Sequence, residues 1–426
     1  MAASYSNRRD QIYTPIRNEG VFTWDHMYGE EYALASLHLI TEEFRLDIAR
    51  ATEQLGRVFT RVVSVIQQAG DELLLELGIP QEALGAVRLS VTDIPTVIGR
   101  FDFARTPHGL KMLEFNSDTP TGIVEAFHVN GRVCDFFGAR DPNNGMNRHL
   151  REAFEKIIRK YKELGFQTEK IVFSALDWHE EDAGTTRYLA DQSGFHGPFI
   201  PLGDLRMYQD QLHALVHGQH YPIDVLYRLH ALEKLAEEKD VDGYPTGAHV
   251  LDLIARQKLA IINPPSAFIA QTKALQALIW NLHEAGEFFT EQEHQIIDAH
   301  MLPTYLENRF LGNSPYVSKP IFGREGGGVT LHHPTGEPID QDTESFYWEQ
   351  PMIYQKFVEL EEIEVETLRG PFPGKLLWGS FLIGGHPSAI VARAGGPITG
   401  NMSYFLPVGI QIYDLPRHDG STLKGD

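Results

Sequence analysis

Apolar residues change period several times along this chain, and each change marks a different kind of element. From Leu34 they recur at threes and fours through Leu37, Leu39, Ile40, Phe44, Ile48, Leu55, Val58, Phe59, Val62 and Val63, the spacing of one helix face. A second helical stretch surrounds Leu73 to Leu77 and is closed by Gly78 and Pro80. Residues 151–167 carry Phe154, Ile157, Ile158, Tyr161 and Leu164 on one face with Arg, Lys and Glu opposite, an amphipathic helix stopped by Gly165. Upstream of these, residues 1 to about 30 are polar and aromatic-bearing, and read as an irregular strap laid over the fold.

Elsewhere the period is two, or the apolar run is continuous. The runs RFDF (100–103) and KMLEFN (111–116) alternate polar and apolar residues, so alternate side chains share a face of a strand. His108-Gly109 supplies a turn between them, which predicts a hairpin gathering Arg100, Asp102, Glu114 and Asn116. On this reading Met112 shares their face, with Leu113 and Phe115 on the other. Ile123 to Val129 starts a helix, with Asp118 and Thr119 near its N-terminal end, where backbone N–H groups favour a carboxylate or anion. Then KIVFSA (170–175), 199–202, 223–229 and 260–262 read as buried strands, and an acidic loop from Asp177 to Asp182 leads into a helix around 185–191. In such α/β units ligands sit beyond the carboxyl ends of the strands. Asn263-Pro264-Pro265 breaks the unit, and a helix resumes from Lys273 to Leu282. The last third is rich in β pattern and glycine: a strand ending in Lys319, the turn GREGGGV (323–329), strands at 329–331, 352–358, 376–383 and 389–392, and the turn RAGGPIT (393–399).

Composition narrows the function classes. With 426 residues the chain is long enough for two or three packed units, and 42% hydrophobic with 22% charged residues is ordinary for a globular protein. Against 37 Lys+Arg stand 58 Asp+Glu, a formal net charge of -21, which argues against nucleic acid or an anionic membrane as partner. Cys134 is the only cysteine, so no disulfide within the chain and no zinc-thiolate site is available. No basic-then-apolar leader and no membrane-length apolar run is present, and the chain reads as a soluble cytoplasmic protein.

Two stretches carry candidate chemistry. Two carboxylates, an amide oxygen and a guanidinium on one sheet face suit oxygen coordination of Mg²⁺ beside an anionic substrate; a half-exposed hairpin with a salt bridge accounts for the same residues. In GREGGGV, glycines let backbone N–H groups close on phosphate oxygens, and Lys319 precedes Gly323 by four residues. No Lys-Ser or Lys-Thr follows, so this is not a Walker A loop, and a flexible surface hairpin is the alternative. His294, Asp298 and His300 at helical spacing read as a solvated helix face rather than a metal site. The glutamates at 359, 361, 362, 364 and 366 read as the exposed face of a strand, His332-His333 as loop and Trp178 as packing.

Three blocks, RFDF…KMLEFNSDTPTG, YVSKPIFGREGGGV and VARAGGPITGNMSYFLP, resemble the synthetase part of glutathionylspermidine synthase and its stand-alone relatives, which are ATP-grasp ligases. EEDAGTTRYL (180–189) and IINPPSAFIAQTKALQALIW (261–280) fit the same family, and the likeness spans residues 20–410. The resemblance implies an α/β (α+β) chain with an ATP-grasp fold, a preceding α/β (pre-ATP-grasp) domain and N-terminal helices. The expected division is 1–95 strap and helices, 96–167 metal-binding sheet and helix, 168–262 substrate domain and 263–426 nucleotide-binding region with a glycine-rich lid. It also implies the activity of an ADP-forming carboxylate–amine ligase using ATP and two Mg²⁺ ions, acting on a small peptide or other acid and an amine. Asp102, Glu114 and Asn116 would hold the metal. Lys273 and Lys319 would neutralise phosphates, and Arg324 with Gly326, Gly327 and Gly328 would form the lid. Gln355 and Phe357 sit where the hinge strand meets adenine, and Arg100 and Arg393 would steady charge during transfer. Thr119 and Thr121 fall at the peptide side, and Glu180, Glu181 and Asp182 at the amine side. The lone Cys134 has no nucleophile setting, so the cysteine amidase activity of the full-length namesake is not expected, and neither glutathione nor spermidine is assigned as substrate. The alternatives are a catalytically silent ATP-binding regulatory or partner protein of the same fold, or phosphoryl transfer to a protein or small alcohol. Oligomeric state is not legible.

Overall fold

The alternating run at Arg100 forms the strand its pattern predicts. Ile98–Thr106 pairs antiparallel with Gly109–Asn116, and Gly109 takes the positive φ (96°) that closes the turn. This structure, a computed structural model, describes residues 4–411 apart from 325, 343–347 and 401–402. Glu325 of the glycine-rich turn and Asn401-Met402 of the last motif lie outside the described residues.

The hairpin register puts Arg100 opposite Asn116 and Asp102 opposite Glu114, then slips so that Phe103 faces Met112. Leu113 is thus an extra residue, a bulge, and it corrects the expected parity. Met112 is buried in the core with Phe101, Phe103 and Phe115, while Leu113 turns toward the cleft. Strict alternation cannot reveal a bulge, because the extra residue breaks the period that the reading assumes.

The hairpin joins one six-stranded antiparallel sheet. Gly370–Ile383 pairs with Ile98–Thr106 on one edge and with His386–Gly395 on the other, while Glu361–Thr367 and Tyr404–Leu406 complete the sheet. Its back is covered by the long helix Glu42–Ile66, capped by Thr41, whose Oγ1 accepts from the Phe44 amide. Phe101 and Phe115 stack 3.8 Å apart between centroids, and Phe59 of that helix meets both edge-on. The helix starts later than Leu34: His38–Ile40 is extended and pairs with Val408–Ile410, so Leu39 and Ile40 belong to a strand, and Leu34 and Leu37 to the irregular chain before it. Glu362, Glu364 and Glu366 are exposed, as expected of that strand face.

A second antiparallel sheet runs in the order Thr304–Tyr305, Met352–Lys356, Tyr316–Pro320, Thr330–His332 and Pro338–Gln341. The α/β region forms a four-stranded parallel sheet in the order Ala260–Ile262, Val225–Leu229, Ile171–Ala175, Phe199–Pro201. A three-stranded meander, Leu205–Tyr208, Gln211–Val216 and Gln219–Pro222, is inserted before Val225 and was not expected.

Three further expectations are corrected. The N-terminal strap contains a helix, Tyr5–Glu19, which buries Tyr5, Arg9, Ile12, Tyr13 and Ile16. The helical spacing is present, but one of its inward positions is an arginine, paired with Asp25 (2.6 Å) and Glu31 (3.1 Å). The acidic segment is not a loop throughout, because the helix begins at Glu180 and runs to Ser193. The histidine face is half-buried rather than fully solvated: His294 Nδ1 lies 2.7 Å from His283 Nδ1 and His300 contacts the Leu110 carbonyl and Gln54, while Asp298 stays exposed. Among the described residues no helix is long and apolar enough to cross a membrane.

Gly184 lets the helix Glu180–Ser193 lie against the N-terminal segment, since a Cβ there would stand 2.1 Å from the Trp24 ring. We expect Gly184→Ala to destabilise the protein by about 1–3 kcal/mol despite alanine's better helix propensity. Urea unfolding checks this, and an unchanged or raised midpoint would show that Trp24 yields freely.

Candidate active site

The two antiparallel sheets face each other across one cleft. The six-stranded sheet presents Arg100, Asp102, Glu114, Asn116 and Arg393, and the five-stranded sheet presents Val317, Lys319, Leu331, Gln355 and Lys356. Gly323, Arg324 and Gly326 close one side, and Pro397 to Thr399 meet them, with Gly326 so close to the Thr399 carbonyl that a Cβ would stand 2.7 Å from it.

Charge is dense here and mostly paired. Arg100 donates from Nε and Nη2 to the two Asp102 oxygens at 2.6 and 2.9 Å, and from Nη1 to the Thr121 carbonyl at 2.6 Å. Asn116 Nδ2 donates to Asp102 Oδ2 (3.2 Å) and Glu114 Oε1 (3.1 Å). Lys273 Nζ stands 3.2 Å from Glu114 Oε2 and donates to the Gly323 carbonyl at 2.7 Å. Lys319 Nζ donates to Gln355 Oε1 at 2.8 Å and to the Leu113 carbonyl at 3.2 Å, so the bulge supplies the lysine with an acceptor. Burial works against the Glu114 charge, but Lys273 and Lys319 outweigh it and hold the carboxyl down at about 2. Burial draws Lys319 down to about 8, with Glu114 resisting. Burial pushes Asp102 up, against the attraction of Arg100.

Besides its charged groups the cleft has an apolar lining from Val317, Leu331, Phe357, Val358, Leu360 and Leu377. Gln355 lines it, but its amide is engaged at both ends, by Lys319 and by the Thr304 hydroxyl. Thr119, Thr121, Glu181 and Tyr32 line it too, as does Arg393, the cross-strand neighbour of Leu377. Arg393 donates to the Gly400 carbonyl at 2.7 Å.

Not every expected residue reaches the cleft. Among the three acids only Glu181 lines it; Glu180 accepts from Thr23, and Asp182 sits 3.2 Å from His179. Of the three consecutive glycines only Gly326 lines it: the Gly327 amide donates to the Arg324 carbonyl and the Gly328 amide to Asp342. Among the described residues no three His, Cys, Asp or Glu side chains gather as a metal site. A divalent cation here would rest on Asp102, Glu114, the Asn116 amide oxygen and oxygens of a substrate.

Sequence reasoning missed the groups that hold the Ser117–Thr121 segment in place. Asp118 is fully buried against Arg228, at 2.6 and 3.1 Å, and its backbone and that of Ser117 bond to the side chains of Asn263 and Gln271. The signal existed in the Asn-Pro-Pro break and in the Gln before Thr272-Lys273, but a polar residue on a buried break has no period to reveal it. Tyr32, also missed, lines the cleft and donates to the buried Glu125 at 3.1 Å.

Two antiparallel sheets closing on such a cleft, with an α/β unit ahead of the second sheet, define an ATP-grasp fold with its preceding domain. A family model described as glutathionylspermidine synthase preATP-grasp matches residues 4–411, and the chain belongs to that family of ATP-dependent ligases. A putative acid–amine ligase of Haemophilus influenzae is 26% identical over 327 residues, 74% of each chain. A glutathionylspermidine synthase of Crithidia fasciculata is 22% identical over 323 residues, 69% of this chain but 43% of the relative, so the chain spans less than half of that protein. The structure of a glutathione synthetase-like effector (GSS30) from Globodera pallida, in the apo form, aligns with a TM-score of 0.56 at 11% identity, covering 95% of this chain and 98% of that one, a likeness of fold alone.

The Glu114 charge makes acid stability testable. Its folded pKa, about 2, lies below the ordinary 4.5, so its contribution is complete above 4.5 and is lost as pH falls toward 2. We expect Glu114→Gln to remove that part of the acid-side loss. Denaturant titrations from pH 6 to about 2 check this; parallel curves for the two proteins would contradict it.

Proposed function

We propose that this chain is an ADP-forming carboxylate–amine ligase that makes an amide through an acyl phosphate. The observation that carries the reading is the pairing, inside one cleft, of the Asp102–Glu114–Asn116 oxygen set with two buried lysines. Either group alone is an ordinary ion pair. Together they provide one anionic and one cationic face, which a metal-complexed triphosphate would bridge. The oxygen donors fit a hard cation such as Mg²⁺, and Glu114 is kept ionised by the lysines opposite. When bound, such ions neutralise phosphate charge and screen the attacking oxygen from it.

The remaining roles follow the cleft outward. The apolar lining would take the adenine, with Lys273 and Lys319 on the phosphates and Arg324 over the transferring group. A carboxylate oxygen of the acid would attack the γ-phosphorus as its bond to ADP breaks. The amine, having lost its extra proton, would then attack the acyl carbon, and the C–O bond to phosphate breaks. Arg100, already fixed on Asp102 and the Thr121 carbonyl, and Arg393 present preorganised positive charge where negative charge grows. Thr119 and Thr121 are placed for a peptide-like acid, and Glu181 for an ammonium group. The relatives named as acid–amine ligase and glutathionylspermidine synthase support a peptide and an amine as substrate classes. Cys134 is buried, donates to the Val408 carbonyl at 3.2 Å, and is pushed up to about 12 by burial, a setting that does not favour a cysteine nucleophile.

ADP release from MgATP, measured across a panel of di- and tripeptides with polyamines and amino acids, tests the reading. The expected product has the mass of acid plus amine less one water. Asp102→Ala, Glu114→Ala and Lys319→Ala are each expected to lower turnover on the order of 100-fold or more. Nucleotide binding without release from any pair would favour a silent partner protein, and a phosphorylated alcohol or protein as product would favour phosphoryl transfer.

A further inference from the structure

The glycine-rich turn reaches across the cleft to the parallel sheet at one point. Near the end of strand Val225–Leu229, the Arg228 guanidinium grips Asp118, and the Leu232 amide donates to Asp118 Oδ2 at 3.1 Å. This fixes the first turn of the short helix Leu232–Glu237 beside the Ser117–Thr121 segment. Glu233, the next residue, faces Arg324: Arg324 Nε donates to Glu233 Oε1 at 3.2 Å, while Nη1 donates to Thr119 Oγ1 at 2.7 Å. The Glu233 side chain is 14% exposed, and its Oε2 is buried with no hydrogen-bond partner among the described residues. A carboxylate so desolvated is tolerated because a guanidinium faces it.

Arg324 needs such a partner. The backbone of its turn is held, with the Arg324 carbonyl accepting from the Gly327 amide at 2.7 Å, but a long side chain takes its direction from the groups its guanidinium meets. Two of the hydrogen bonds that set this aim leave the turn, donated by Arg324 to Thr119 and to Glu233. Glu233 itself does not line the cleft, so it has no direct hold on a substrate.

We propose that Glu233 is a positioning residue, which aims the Arg324 guanidinium at Thr119, over the place where acid and triphosphate would meet. The contact stands on its geometry, while its part in phosphoryl transfer rests on the ligase reading. Through Leu232 and Asp118 the same network ties the glycine-rich turn to the carboxyl end of the parallel sheet. The phosphate side and the acid side of the cleft are thereby set together.

Hydrogen exchange of the full chain without ligand, followed by mass spectrometry on peptides covering 321–331, tests the contact. Glu233→Ala and Arg324→Ala are each expected to speed exchange there by about tenfold, the worth of one charge-assisted hydrogen bond. The double variant should add nothing further. Glu233→Gln, which keeps an acceptor oxygen, should fall between wild type and Glu233→Ala. Peptides over 232–237 should be unchanged, which separates lost aim from local unfolding. Unchanged exchange at 321–331 in Glu233→Ala, or additive effects in the double variant, would overturn the proposal. Calorimetry with MgADP supplies the second arm: Glu233→Ala should bind it within about twofold of wild type, since Glu233 touches no cleft-lining lysine. Loss of MgADP binding in Glu233→Ala would also overturn a pure positioning role. Failure of wild type to bind MgADP would count against the ligase reading and leave the exchange result to decide the contact.

Discussion

Like charges held close together, one buried and one half-buried, are the constraint from which the site follows. Asp102 and Glu114 lie across from each other on neighbouring strands, bridged by the Asn116 amide, and cannot both stay ionised in a low dielectric without cations close by. Arg100 answers one from within the same strand, and Lys273 and Lys319 answer the other from a different helix and a different sheet. The electrostatics therefore require the two antiparallel sheets to close on each other, and the cleft is where they do. Its chemistry and its stability are one arrangement: the groups that balance charge in the free protein are those a metal-bound triphosphate would rearrange.

A second knot holds the Ser117–Thr121 segment. The Asp118–Arg228 pair is almost wholly buried, and Asn263 and Gln271 bond the backbone around Asp118 from the segment that follows the parallel sheet. Breaking a buried pair of this kind commonly costs about 3–5 kcal/mol. Its position matters more than its magnitude, because the loop it holds carries Thr119 and Thr121 into the cleft. The parallel sheet thus serves the site through backbone placement, with Arg228 and Glu233 at the carboxyl end of its strand, where α/β units present ligand-facing groups.

Much of this was legible in the sequence. The hairpin, the amphipathic helices, the parallel strands and the strand–glycine–strand unit at Lys319 follow from period and turn chemistry, and the spaced motifs pointed to the family to which the chain belongs. Cleft-lining positions were found at Arg100, Asp102, Glu114, Asn116, Lys273, Lys319 and Arg393 because they stand in runs whose alternation fixes their face, or in the motifs that carry the resemblance. The bulge at Leu113 was not legible, since a single inserted residue leaves no mark in a run of six. The N-terminal helix was hidden by Arg9, a charged residue at an inward position whose partners lie later in the chain. Glu180 and Asp182 were grouped with Glu181 by adjacency, although successive residues on a helix point about 100° apart. Arg228, Asn263 and Glu233 act through contacts between distant segments, which no local pattern reports.

The central claim is that the acid is activated by phosphorylation on its own carboxylate. The most direct test is to label that carboxylate with ¹⁸O in whichever peptide supports ADP release, and to follow the label by mass spectrometry. Attack of a carboxylate oxygen on the γ-phosphorus, then release of that oxygen when the amine adds, sends one labelled oxygen into inorganic phosphate for each amide formed. The account predicts that transfer. Phosphate carrying oxygen from water instead, with the label retained in the acid, would contradict it.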